Sequence, residues 1–175
     1  RKVIAIIGGT GGLGSALAFR LGKAGYKILI GSRNKEKASV SAEKLNDRLG
    51  KEVASGFKNK EAAKLAQIIV LTIPYHYHSE IIEEIKDEAQ GKIVVDTTVP
   101  LIPPKVSRVQ LPESGSVAKL AQEKLGENVR LVSAFQNVAA TALESNEPLE
   151  GEVLVCGNDV EARSIVISIV EAAGL

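Results

Sequence analysis

Gly9, Gly11 and Gly14, in the run Ile7-Gly8-Gly9-Thr10-Gly11-Gly12-Leu13-Gly14, fit the pattern G-x-G-x-x-G, and the chemistry this spacing serves is pyrophosphate binding. The first glycine permits a tight strand-to-helix turn, and the second lets backbone approach the phosphates. The third lets the helix lie close on the strand, with its N-terminus facing the anion. The candidate cradle is therefore the backbone from Gly9 through Thr10, Gly11, Gly12 and Leu13 to Gly14. The bland alternative is a glycine-rich turn with no ligand. An apolar run before the glycines and an amphipathic run after them favour a dinucleotide site.

A second group of residues bears on which dinucleotide. Sites for NAD carry Asp or Glu about 20 residues after the glycines, to bond the ribose 2′-hydroxyl. Here the stretch reads Gly31-Ser32-Arg33-Asn34-Lys35-Glu36-Lys37, with no acid at the turn. A guanidinium fork, a hydroxyl and an ammonium one helical turn on suit a dianionic 2′-phosphate. Thr10 can reach the same group. The alternative is a solvated basic helix start, but cations at a helix N-terminus oppose its dipole, and a bound anion relieves that mismatch. This chemistry favours NADP over NAD.

Other reactive side chains are less telling. Tyr75-His76-Tyr77-His78 invites a metal or proton-transfer reading, yet i, i+2 spacing shares a face only in extended chain, and no cysteine or carboxylate pair completes a ligand set. A loop rim beside the cofactor is the expected role. Asp96 is expected to cap a turn rather than act as an acid. Gln136 and Asn137 can bond an amide or carbonyl. Cys156 is expected to be an inert small hydrophobe in a strand that alternates into the core. No tyrosine is followed by Lys four residues on, so the Tyr-x-x-x-Lys pair of short-chain dehydrogenases is absent.

The elements that must position these groups follow from periodicity. Short β-branched runs predict strands at 2–7, 27–30, 52–57, 67–73, 92–95, 129–132 and 152–156. Between them lie helical stripes. Leu13, Ala16, Leu17, Leu21 and Ala24 form one, stopped by Gly25. Ala38, Ala42, Leu45 and Leu49 form another, capped by Asn34 and closed by Gly50. Asn59 is expected to cap a brief helix, Ile81, Ile82 and Ile85 to line the next, and Ser114 or Ser116 to cap a fifth. Asn158 with Glu161 predicts the start of a last helix. Residues 101–112, with Pro103, Pro104 and Pro112, read as a rigid binding loop, and 144–151, with Pro148, as an acidic loop. Strands alternating with helices predict an α/β fold, a Rossmann-type doubly wound, mostly parallel sheet.

Composition sets the frame. A chain of 175 residues suits one domain, and 22 Lys plus Arg against 21 Asp plus Glu gives no push toward nucleic acid or an anionic membrane. Aromatic residues make up only 3%, too few for base-stacking platforms. A single cysteine excludes an internal disulfide, and a cytoplasmic location is expected. The chain opens directly on a strand, with no leader expected, and has no apolar run long enough to span a bilayer.

Read in order, Gly8–Gly14, Gly31-Ser32-Arg33 with Lys37, Leu71-Thr72-Ile73-Pro74, Val95–Pro100, Val132-Ser133-Ala134 and Val155-Cys156-Gly157-Asn158-Asp159 together resemble the NADPH-dependent coenzyme F-420 reductases. The resemblance covers nearly the whole chain. It implies a single NADP-binding Rossmann domain over 1–175, paired as a homodimer, with a C-terminal segment of the family expected beyond Leu175. It implies an enzyme, an oxidoreductase that exchanges a hydride between NADP(H) and the deazaflavin co-substrate F-420. By position it implies that Thr10, Ser32, Arg33 and Lys37 hold the 2′-phosphate and that Ile73 and Pro74 lie along the cofactor. Val99, Pro100, Val138 and Ala140 would line the deazaflavin groove. Direct hydride exchange between two rings requires only stacking and water exclusion, so no catalytic side chain and no metal is expected. Two alternatives stand beside this: an NADPH-dependent reductase of a flavin, metal chelate or carbonyl, and a non-catalytic NADP-binding sensor.

Overall fold

Continuous apolar strands belong in a parallel sheet covered by helices on both faces, because each side chain then meets core whichever way it points. The computed structural model describes residues 2–145, 147, 149 and 151–175 and has this arrangement; Pro148 of the expected acidic loop lies outside the described residues. The chain runs β1 (Val3–Ile7), α1 (Gly12–Lys23), β2 (Lys27–Ser32), α2 (Lys35–Leu49), β3 (Ala54–Lys58), α3 (Asn59–Leu65) and β4 (Ile68–Leu71). It continues with α4 (Tyr75–Ala89), β5 (Ile93–Asp96), α5 (Val117–Leu125), β6 (Arg130–Ala134), α6 (Ala140–Leu143), β7 (Val155–Cys156) and α7 (Val160–Ala172). Among these helices none is long and apolar enough to cross a membrane.

The seven strands form one sheet in the order β3-β2-β1-β4-β5-β6-β7. All neighbours pair in parallel except β7, which runs antiparallel to β6. Crossovers leave β1 toward β2 on one side and β4 on the other, so the carboxyl ends of β1 and β4 flank the topological switch point. One core, with Leu17, Phe19, Leu45 and Val166, covers the face under α1, α2 and α7. The other, with Ala62, Ile82, Ile85 and Leu125, lies under α3, α4 and α5.

Several local expectations shift. β2 extends to Ser32 because β3 continues to pair with it, Gly31 against Phe57 and Ser32 against Lys58. Asn59 does not cap α3; Lys58 occupies the N-cap and Asn59 is buried in the first turn. Ser116, not Ser114, caps α5, and the α7 cap falls on Asp159, one residue past Asn158. Pro74 is the N-cap of α4, so Tyr75 to His78 form a helical turn, not an extended loop. Cys156 is exposed, not buried, because β7 lies on the sheet's outer edge and pairs only with β6.

One polar side chain holds the α2–β3 connection. Asn46, 7% exposed, donates Nδ2 to the Ala54 carbonyl and the Glu52 carboxylate, both at 3.0 Å. Its Oδ1 accepts from the Val53 and Ala54 amides at 2.9 and 2.8 Å. Replacing Asn46 with Ala orphans buried backbone groups, each costing about 1–3 kcal/mol. Urea unfolding of Asn46→Ala is therefore expected to show a loss of about 2–4 kcal/mol.

Candidate functional site

β1 ends at Ile7, and the chain turns at Gly8 in the left-handed region, at φ 76. The tight turn thus falls one residue before the glycine to which the motif assigns it. The Gly8 and Gly9 amides both donate to the Gly31 carbonyl, at 3.0 and 3.1 Å, which ties the loop to β2. Gly14 is the point of closest approach. A Cβ there would lie 2.6 Å from Thr72 Oγ1 and 2.7 Å from Gly9 Cα. α1 starts on Gly11 with no side-chain cap and no acid in its first turn. The first amide to close the helical ladder is that of Ser15, to the Gly11 carbonyl at 2.9 Å. The amides of Gly12, Leu13 and Gly14 precede it and stand free of the ladder, as an anion site requires. Gly11 leaves room for such an anion, since a Cβ there would find only Gly8 O, at 3.5 Å.

The switch point opens into a cavity of about 210 Å³. Thr10, Gly11, Ser32, Arg33, Ile73 and Pro74 all line it, so residues from the glycine loop, the end of β2 and the end of β4 are brought together. Lys37 lies in an adjoining depression of about 460 Å³ that shares Thr10 and also holds Glu36. The α2 N-terminus between them is ordered by Asn34, whose Oδ1 accepts the Lys37 amide at 2.8 Å. Among the described residues, no carboxylate lines the switch-point cavity. Its polar groups are hydroxyls, amides and a guanidinium, which fit a phosphorylated dinucleotide.

Tyr77 lies beside this cavity, as the rim reading of Tyr75–His78 expected, whereas Asn59 as a lining residue escaped the sequence reading. The Arg33 guanidinium stacks 4.2 Å above the Tyr77 ring, a contact made possible by the helical turn at the start of α4. Asn59, 2% exposed, also lines the cavity, and its Oδ1 has no hydrogen-bond partner. The only local signal for Tyr77 was Pro74, a residue suited to the beginning of a helix.

The two histidines separate. His76 is exposed and packs against Tyr77, with ring centroids 3.9 Å apart. His78 is fully buried, and its Nε2 lies 2.7 Å from Asp96 Oδ2. Asp96 does cap a turn, its Oδ1 accepting the Thr98 amide at 3.0 Å. Gln136 donates Nε2 to the Asp96 carbonyl and to Ser133 Oγ, both at 2.8 Å. Asn137 is structural: it donates to the Glu152 carbonyl at 2.7 Å and accepts the Leu154 amide at 3.3 Å. Cys156 lines a separate cleft of about 490 Å³ with Lys119 and Ser133.

With this geometry in hand, similarity to known proteins becomes informative. Residues 3–100, from β1 through the turn after β5, match the family described as "NADP oxidoreductase coenzyme F420-dependent". An "F420-dependent NADP reductase" of Methanocaldococcus jannaschii is 45% identical over 174 residues, covering 95% of this chain and 77% of that protein. The chain belongs to the F-420-dependent NADP oxidoreductase family. A namesake from Methanothermobacter thermautotrophicus is 34% identical, covering 96% of this chain and 75% of its own length. The crystal structure of a candidate F420-dependent NADP reductase from Arthrobacter sp. superposes with a TM-score of 0.80 at 21% identity, over 99% of this chain and 81% of that one. That last likeness concerns the fold.

The residues expected to line the deazaflavin groove, Val99, Pro100, Val138 and Ala140, do not line the switch-point cavity. Val99 and Pro100 follow the Asp96 turn at the end of β5. Val138 and Ala140 lead into α6, after a turn in which the Val138 amide bonds the Phe135 carbonyl at 3.1 Å. Pro100 is buried; Val99, Val138 and Ala140 are half-buried.

The glycines give a steric test. A Cβ on Gly12 would meet nothing within 4 Å, whereas one on Gly14 strikes Thr72 and the Gly8–Gly9 backbone. Gly14→Ala is expected to weaken NADPH binding about tenfold or more, since overpacking costs about 1–3 kcal/mol. Gly12→Ala should stay within about twofold; NADPH fluorescence titration measures both.

Proposed function

We propose that this chain exchanges a hydride between NADP(H) and the deazaflavin coenzyme F-420, with the NADP 2′-phosphate held at the carboxyl end of β2. The observation that carries this reading is the meeting of Ser32 and Arg33 with Thr10 and Gly11 in one carboxylate-free cavity. The amides of the glycine loop and α1 bind the pyrophosphate, aided by the helix dipole. Arg33 supplies a planar fork to the 2′-phosphate, Ser32 and Thr10 supply hydroxyls, and Lys37 supplies charge from the adjoining depression. Ile73 and Pro74 give the apolar edge along which the nicotinamide riboside lies.

The substrates supply the chemistry, carbon-to-carbon hydride transfer between nicotinamide and deazaflavin, and no protein nucleophile or acid takes part. The chain's task is to hold two rings at reacting distance and to exclude water. Val99, Pro100, Val138 and Ala140 form the apolar walls against which the deazaflavin packs. The working unit is a homodimer of this NADP-binding domain, acting in the cytoplasm on small-molecule substrates.

Steady-state kinetics following the loss of F-420 visible absorbance test this reading. Arg33→Ala removes charge-assisted bonds worth about 1.5–3 kcal/mol, so the NADPH KM should rise about ten- to a hundredfold. Because the contact is remote from the rings, kcat should change by less than about threefold. An unchanged NADPH affinity would remove the 2′-phosphate assignment.

A further inference from the structure

We infer that His78 is a positioning residue for the deazaflavin, acting through Asp96 on both walls of its groove. The inference rests on the reading above that Val99, Pro100, Val138 and Ala140 line that groove. Asp96 is 1% exposed, and three of its atoms each hold a different segment. Oδ2 faces His78 Nε2 at 2.7 Å and ties β5 to the first turn of α4. Oδ1 accepts the Thr98 amide at 3.0 Å and shapes the turn that delivers Val99 and Pro100. The backbone carbonyl accepts Gln136 Nε2 at 2.8 Å, two residues before Val138. Thr97 secures the same turn from the other side, its hydroxyl donating to the Leu71 carbonyl at 2.7 Å.

Stability alone does not account for this arrangement. A buried ionisable pair is seldom more stable than apolar side chains of the same volume. His78 adds a further cost, since its Nδ1 is buried with no partner. What the pair provides is direction. With a proton on Nε2, the imidazole donates to Oδ2 and fixes the carboxylate plane, which places Oδ1 for Thr98. The same residue then presents its carbonyl to Gln136. The start of α4, adjoining Ile73 and Pro74 on the dinucleotide side, is thereby coupled to both segments on the deazaflavin side.

The test uses the full chain in four single variants and one double, reading the KM for F-420, kcat and the NADPH dissociation constant. Gln136→Leu cuts one tie at an exposed side chain and leaves the core intact. His78→Phe keeps a buried ring but removes the donor to Asp96. His78→Gln restores a donor. Val138→Trp blocks the groove itself. We expect Gln136→Leu and His78→Phe each to raise the F-420 KM about fivefold or more, with NADPH affinity within about twofold. His78→Gln should recover most of the loss, and the double variant Gln136→Leu/His78→Phe should be no worse than the more severe single. If His78→Phe does not fold, Asp96→Asn, which keeps an oxygen for the Thr98 amide and sets an amide against His78 Nε2, is read in its place: a raised F-420 KM is expected, and an unchanged one overturns the role of His78. An unchanged F-420 KM in Gln136→Leu and His78→Phe, while Val138→Trp raises it, overturns the role of His78 and leaves the groove standing. An equal loss of NADPH affinity, or no rescue by His78→Gln, also overturns it. If Val138→Trp too leaves the F-420 KM unchanged, the groove assignment fails and the inference falls with it.

Discussion

The close approach of α1 to the ends of β1 and β4 is the constraint on which the rest of the structure depends. At Gly14 the helix backbone lies against Gly8, Gly9 and Thr72 with no space for a side chain. That contact sets the start of α1 beside the switch-point cavity, which Gly8, Thr10 and Gly11 line. It also fixes the far end of the helix. Arg20, 5% exposed, donates to the carbonyls of Leu143 and Glu147 at 2.9 and 2.8 Å and so anchors the segment after α6. A single helix thus links the glycine loop at its start to the chain that follows Val138 and Ala140 near its end. A shift at Gly14 would be transmitted to both, because packed interiors pass strain on without absorbing it.

Charge in the site is arranged by omission as much as by placement. α1 carries no acid in its first turn, the described lining of the switch-point cavity has no carboxylate, and β2 ends on the Ser32 hydroxyl with the Arg33 guanidinium next to it. Asn34 caps α2 with a neutral oxygen; Lys35 pairs with Glu61 at 3.8 Å, and Lys37 shares the first turn with Glu36. Tyr77 lies under Arg33 and gives the guanidinium a surface that a solvated arginine lacks. The field favours a dianion at this corner. This is the physical content of a preference for NADP over NAD. By contrast, the residues assigned to the deazaflavin, Val99, Pro100, Val138 and Ala140, are apolar.

Much of this was legible in the residues. Apolar, largely β-branched runs marked the central strands β1, β4 and β5, since a buried parallel strand needs apolar side chains on both faces. The stops at Gly25 and Gly50 and the cap at Asn34 were readable because caps act within one turn of the chain. The misplacements share one cause. Cys156 was expected to be buried because β7 alternates, but whether an alternating strand faces a core depends on having a neighbour outside it, and β7 has none. Tyr75–His78 was read as a loop rim after Pro74, while the helix they begin is stabilised by Ile81, Ile82 and Ile85 packing a turn or two further on.

By itself the sequence determined the parallel α/β architecture, the glycine loop between β1 and α1 and the basic end of β2, because each is written in residues adjacent along the chain. Only tertiary structure decided that Arg33 rests on Tyr77, that His78 faces Asp96, and that Asp96 is joined to Gln136. These pairs lie 44, 18 and 40 residues apart. No periodicity or local propensity records which turn of α4 comes to lie beside β2, or which loop crosses the end of β5. That is settled when β1 takes β2 on one side and β4 on the other, bringing four strand ends to one crevice.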